Sequence, residues 1–295
     1  MTRGSDLLLT AIAPVVWGST YIVTTELLPQ GYPLSVAALR ALPAGLLLLL
    51  FVRRLPHGIW WLRSVLLGGL NIALFLTMLF VSAYRLPGGV AATVISVQPL
   101  IVILLARLLL GSPVRLLAIL AGMAGVGGVA LLVLTPNAAL DAIGVAAAIT
   151  GAISMAAGTV LARRWQPPVS PLAFTAWQLT AGGILLLPVA FWLEPPLPAP
   201  SIANIAGFLY LGLIGAALTY ALWFRGIARL EPTAVSPLAL LSPVTAVLLG
   251  WSIAGENLSG LQIAGIAIVI GSVWLSQRAQ LAAGVRAPAA SPARP

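Results

Sequence analysis

The sequence predicts an all-α polytopic membrane protein: ten transmembrane helices in two inverted five-helix repeats, with N- and C-termini cytoplasmic. Three observations predict it. The 295 residues are 60% hydrophobic and only 7% charged, with a mean hydropathy of +1.08, whereas soluble domains carry about a quarter charged residues. The arginines fall between long apolar runs in an alternating pattern. The chain also repeats itself: Tyr84-Arg85-Leu86, Gln98-Pro99-Leu100 and Gly111 return as Ala228-Arg229-Leu230, Ser242-Pro243-Val244 and Gly255, a constant 144 residues later.

The spans read 7–25, 34–52, 64–84, 90–109, 116–134, 142–162, 172–193, 203–224, 234–253 and 261–277. Each is an apolar run close to the ~20 residues that cross a bilayer. The first resembles a signal peptide only at its start, where Arg3 precedes apolar residues. Its run continues past Pro14 and Trp17 to Thr25, longer than the 7–15 residues of a signal core. Short loops join the spans, and Glu194-Pro195-Pro196-Leu197-Pro198 is a stiff connector. The units are 7–134, 142–277 and a disordered cytoplasmic tail, 278–295, rich in Ala, Pro and Arg.

Orientation follows from the arginines. With the N-terminus inside, thirteen of the fifteen lie in cytoplasmic segments: Arg3; Arg53, Arg54 and Arg63; Arg107 and Arg115; Arg163 and Arg164; Arg225 and Arg229; Arg278, Arg286 and Arg294. Arg85 is the exception outside, and Arg40 lies within a span. Five is an odd number, so the second repeat enters from the opposite side, with Arg85 outside and Arg229 inside. Without gaps, 66–111 and 210–255 agree at eleven of 46 positions. Weak internal symmetry of this kind is typical of secondary transporters, in which two similar halves exchange conformations around a midplane site.

Several classes are excluded. There is no cysteine, one histidine (His57, in a loop) and no mid-span carboxylate, so the spans lack the groups of an intramembrane enzyme or a metal site. No cofactor is expected. The net charge of +9 orients the chain in the membrane; it is not a nucleic-acid surface. No Walker-type loop occurs, and the missing carboxylate relay favours downhill export or exchange.

A solute crossing the bundle needs polar and aromatic contacts inside it. In the third span Asn71, Phe75, Met78 and Ser82 form one helical stripe. The first span offers Trp17, Thr20 and Thr24, with Tyr21 beside them; the sixth, Ser154, Met155 and Thr159; the eighth, Thr219, Tyr220 and Trp223. Gln98 and Ser242 precede Pro99 and Pro243, which interrupt the helical ladder and can act as hinges. Trp60, Trp61, Trp165, Trp192 and Trp274 lie near span ends, as interfacial anchors do. Arg40 lies about 9 Å from the outer span end at helical rise. Snorkelling outward gives it a structural or outer-gate role; binding a substrate carboxylate is the alternative.

At these residues the chain resembles the EamA-type ten-helix exporters of the drug/metabolite transporter superfamily. The resemblance covers 7–277 and rests on Trp17-Gly18-Ser19, Arg40, Pro99, Pro243 and Gly255-Glu256; the first copy departs from the family pattern with Gly111-Ser112. It implies a basket of helices around a central cavity, multi-pass in the bacterial inner membrane and in contact with lipid. It also implies export of small metabolites, with amino acids bearing apolar or aromatic side chains as the expected substrates. A carrier of drug-like compounds or nucleotide sugars, or a channel, is the alternative.

Overall fold

The computed structural model describes residues 3–86, 88–133, 141–253, 255 and 257–284, and every regular element among them is helical. The predicted first span is two helices, α1 (Arg3–Gly18) and α2 (Thr20–Leu27). At the break, Ser19 turns both its N–H and its Oγ back on Val16 O, at 3.0 and 2.7 Å, a tightened turn that replaces the i−4 ladder.

Next come α3 (Pro33–Val52), α4 (Trp60–Gly68), a π-helical segment over Gly69–Leu74 and α5 (Phe75–Arg85). They are followed by α6 (Gly88–Ile95), α7 (Gln98–Leu110) and α8 (Leu116–Val133). The second half has α9 (Ala142–Trp165), α10 (Pro171–Leu193), α11 (Ile202–Leu209), a second π segment over Tyr210–Leu218 and α12 (Thr219–Arg229). It closes with α13 (Pro232–Val235), a 3-10 turn over Ser236–Leu240, α14 (Leu241–Ser252) and α15 (Gly260–Gly284).

Nine helical segments among the described residues are long and apolar enough to cross a bilayer; α1 and α2 are each too short alone. Phe51, Phe191 and Trp192 are 79%, 89% and 90% exposed on the outer surface of the bundle, which water would penalise and lipid does not. The chain is a multi-pass membrane protein.

Backbone landmarks recur at the 144-residue separation. Helices end at Arg85 and Arg229, each followed by an extended leucine. They resume at Gly88 and Pro232 and are interrupted again just before Pro99 and Pro243. Gly111 and Gly255 then take left-handed φ values of 69° and 71°, which only glycine adopts freely.

Without a hydrophobic force between helices in lipid, small residues bring backbones together. α10 packs against α3 and α4 in this way: a Cβ on Gly68 would stand 2.8 Å from Gly182 N, and one on Gly182 would stand 2.8 Å from Gly68 O. Trp60 is drawn into this core, 6% exposed against Phe174 and Trp177, so it is not the interfacial anchor its position predicts. At the entry to α3, Leu34 N and Ser35 N donate to the two Glu194 carboxylate oxygens at 2.6 and 2.8 Å, a capping anion at a helix N-terminus.

The predicted tail begins too early. α15 continues to Gly284, held where Arg115 Nη1 donates to Ala279 O and Gln280 Oε1, both at 2.7 Å. Residues 285–295 lie outside the described residues.

α8 and α15 meet at Gly128 and Gly265, where an added Cβ on Gly265 would lie 2.7 Å from Gly128 O, whereas Gly271 on the same helix faces open space. Gly265→Val is expected to destabilise the purified protein by about 1–3 kcal/mol. Gly271→Ala should stay within about 0.5 kcal/mol. Thermal unfolding in detergent checks both, and equal effects would contradict this packing.

Candidate functional site

The polar and aromatic residues singled out above fall into three groups. The first lies where α1 and α3 meet the second π segment and α12. Trp17, one residue before the end of α1, donates from Nε1 to Thr219 Oγ1 at 2.9 Å. Thr219 Oγ1 in turn donates to Gly215 O at 2.8 Å, and Arg40 Nη2 donates to the same carbonyl at 2.9 Å. The Trp17 ring lies 5.2 Å from the Tyr220 ring and 5.2 Å from the Trp223 ring, typical of tilted aromatic pairs. Ser19 Oγ and Tyr210 Oη share a hydrogen bond of 2.8 Å. Thr20 Oγ1 and Trp223 Nε1 are buried without a partner among the described residues. The Tyr21 side chain lies outside the described residues.

Arg40 therefore does not snorkel. It is 9% exposed, and its guanidinium reaches across to the facing π segment.

The second group is a packing face on α9. Asn71 sits in the first π segment against Gly158, and its Nδ2 donates to Gln178 Oε1 of α10 at 2.8 Å. Phe75 and Met78 lie over Gly151. Ser154 Oγ donates to Leu70 O at 2.8 Å, and Ser82 Oγ bonds back to Leu79 O. Met155 and Thr159 are buried on α9, Thr159 Oγ1 with no partner among the described residues. The stripe along the third span thus contacts a neighbouring helix.

The third group marks the interrupted helices. Gln98 and Pro99 are buried, with Gln98 Nε2 unpartnered among the described residues. Ser242 and Pro243 are half-buried, and Ser242 O lies 2.6 Å from where a Gly18 Cβ would be, so α14 presses directly on α1. α7 packs on α13 and on the 3-10 turn that leads into α14.

Two cavities flank these groups. A crevice of about 350 Å³ opens between α3, the 197–200 connector and α11, lined by Leu39, Pro43, Phe208 and Gly212 among others. At the opposite end a pocket of about 70 Å³ is lined by Phe174, Phe224, Ile227, Pro167 and Pro171. None of the expected substrate residues lines either one.

Sequence reasoning missed Gln178, a fully buried amide in the long apolar run of α10, although a large amide there was signal enough. It also missed Asp6. This carboxylate takes Arg225 Nη2 at 2.6 Å and Arg229 Nη1 at 3.3 Å on Oδ1, joining the start of α1 to the end of α12. Burial pushes the Asp6 carboxyl up, but the Arg225 hydrogen bond and charge, with Arg229, outweigh it and hold the group below its ordinary value. Nearby, Arg163 pairs with Glu231 at 3.7 Å and also bonds to Ala228 O. Glu256 lies outside the described residues.

The model of the EamA-like transporter family matches residues 5–134 and again 142–277. The chain is 45% identical over 267 residues to Protein PecM of Dickeya dadantii, covering 90% of each. It is 30% identical to the uncharacterized inner membrane transporter YedA of Escherichia coli K12, covering 88% of this chain and 87% of that one. A probable amino-acid metabolite efflux pump of Salmonella typhimurium is 26% identical, covering 92% and 94%. A solved crystal structure superposes with a TM-score of 0.81 over 97% of this chain and 100% of that one at 20% identity, a likeness of fold. The chain belongs to the EamA-like transporter family.

Thr219→Val removes both the acceptor of Trp17 Nε1 and a donor to Gly215 O. It is expected to cost about 1–3 kcal/mol, with Thr219→Ser close to the parent, in thermal unfolding. For Asp6, a lowered folded value means that its stabilisation is complete above the ordinary carboxylate value and is lost only as pH falls through the folded one. The stability gap between the parent and Asp6→Asn should therefore hold from pH 7 to 5 and close only below about pH 4. A gap that closes between pH 7 and 5 would contradict the assignment.

Proposed function

We propose that this EamA-like family member is a secondary transporter that exports small metabolites across the bacterial inner membrane, and that its substrates are amino acids with apolar or aromatic side chains. The residues expected to meet the solute are Trp17, Thr20, Tyr21 and Tyr220, with Gln98 and Ser242 at the helix interruptions and Asn71, Phe75, Met78, Met155 and Thr159 at the α9 face. Pro99 and Pro243 are the hinges. The mechanism is alternating access by two inverted halves, 7–134 and 142–277, giving ten spans when the run 7–25, divided between α1 and α2, is counted as one broken crossing.

The observation that carries this reading is the recurrence of backbone landmarks 144 residues apart: helix ends at Arg85 and Arg229, and left-handed Gly111 and Gly255. Two halves with the same interruptions can exchange conformations, which is the physical route to alternating access. The family match in two stretches supports the same division. The name of the Salmonella relative supports the amino-acid class, and the absence of a mid-span Asp or Glu in the sequence supports downhill export or exchange.

Counterflow into proteoliposomes across a panel of amino acids and other metabolites tests the function. Saturable exchange of apolar or aromatic amino acids, without strict dependence on a proton gradient, is the expected result. Currents through single open channels with no saturable exchange would overturn it. The chain has no cysteine, so single-cysteine variants report sidedness cleanly. Arg85→Cys should react with an impermeant maleimide from outside and Arg229→Cys only after permeabilisation; labelling from one side would end the inverted arrangement.

A further inference from the structure

We propose that Arg40 is the anion-binding residue of a substrate subsite. It would take a carboxylate whose apolar or aromatic body lies along Trp17, Tyr220 and Trp223. The inference rests on the transport reading above and names what the solute must carry.

Arg40 is the one arginine well inside a predicted span, and it is 9% exposed. A guanidinium has five N–H donors. Among the described residues it makes one hydrogen bond, to the neutral Gly215 carbonyl at 2.9 Å, and no ion pair with a described carboxylate. A cation taken out of water and matched to a single neutral acceptor is under-compensated. A carboxylate supplies two parallel charge-assisted hydrogen bonds in the geometry that the guanidinium fork fits.

The surroundings point to a ligand independently. Trp223 Nε1 and Thr20 Oγ1 are buried polar atoms with no partner among the described residues, and Trp223 packs on Trp17. Trp17 is linked to Arg40 through Thr219 and the shared Gly215 carbonyl. Gly215 places no side chain beside the guanidinium, and even a Cβ there would stand 4.0 Å from Arg40 Nη2, an ordinary contact distance.

The rings continue away from Arg40. Tyr220 stacks on Phe224 at 5.8 Å, and Phe224 meets Phe174 at 5.6 Å. Phe224 and Phe174 line the 70 Å³ pocket at the Asp6 end. A chain of ring contacts therefore runs from that end of the bundle through Tyr220 to Trp17, and a planar apolar body led by its acid group would replace part of this ring-to-ring packing when bound. No described carboxylate stands in the cluster to pair an ammonium, so the acid is the recognised group and the amine is dispensable.

The test uses matched acids and amides on the full chain purified in detergent: phenylacetate against phenylacetamide, and L-phenylalanine against L-phenylalaninamide. The readout is the concentration that gives half-maximal thermal stabilisation. Both acids should act at roughly tenfold lower concentration than their amides, with phenylacetate comparable to phenylalanine. Arg40→Gln should erase the acid preference and Arg40→Lys should keep part of it. A purely structural arginine would lower the ligand-free melting point of Arg40→Gln and leave the acid-to-amide ratio unchanged.

Equal action of acids and amides on the parent chain overturns the proposal, as does an unchanged ratio in Arg40→Gln or no stabilisation by either acid. The parent comparison needs no variant, so a poorly folding Arg40→Gln does not blunt it. Saturable counterflow with an unchanged acid preference in Arg40→Gln would defeat this subsite and leave the transport reading standing. Absence of any saturable counterflow by the parent would defeat the transport reading instead.

Discussion

A bilayer offers no hydrogen-bond partners, so every backbone donor and acceptor within it must be satisfied by the protein. The rest of this structure depends on that constraint. It forces continuous helices where the chain meets lipid, and it allows irregular backbone only where other helices cover it. The irregularities here are the turn at Ser19, the two π segments, the gap before Gln98 and the 3-10 turn over Ser236–Leu240. Each has an identifiable neighbour. The turn at Ser19 is covered by Tyr210, the first π segment by α9 and α10, and the second by α3. Breaks in the ladder thus mark the protein-facing side of each helix, and the candidate residues Trp17, Asn71, Gln98 and Thr219 lie at or beside them.

Nine of the spans were legible because lipid-crossing segments must be long, apolar and nearly free of charge, and these properties are written locally, whereas the break at Ser19 in the first was not. Gly111 and Gly255 stand out in the sequence as matched positions 144 residues apart; their left-handed conformation is visible only in the structure. The π segments were not legible. Nothing in Gly69–Leu74 or Tyr210–Leu218 distinguishes a π turn from an α turn by composition; packing across the bundle decides it. The direction of Arg40 was equally hidden. A six-residue distance from the span end fits an outward-snorkelling side chain as well as an inward one, and the inward course is set by the Gly215 carbonyl of the facing π segment, which no local pattern announces.

The same distinction between local and distant information explains the other differences. Trp60 stands next to Trp61 at a span start, where the sequence assigns both to the interface. In the folded chain Trp60 packs on Phe174 and Trp177 while Trp61 is 53% exposed; a helix places consecutive residues about 100° apart. The pairing of Asp6 with Arg225 and Arg229 joins residues more than 200 positions apart, beyond any local pattern. It makes the start of the first helix depend on the end of α12, so one half of the chain is latched to the other at that end.

The Glu194 carboxylate over the first amides of α3 has a mechanical consequence. Together with the close approach of α3 and α10, where a Cβ on Gly183 would stand 2.7 Å from Leu42 Cα, it makes these two helices a single strut. Arg40 rides on that strut, whereas its acceptor, Gly215, belongs to a different element. Displacement of this helix pair as a unit relative to the Tyr210–Leu218 segment would stretch the bond from Arg40 to Gly215 and leave the cap intact. The proposed acid subsite and the present Gly215 contact therefore compete for one guanidinium, and the position of this strut decides which of them is within its reach.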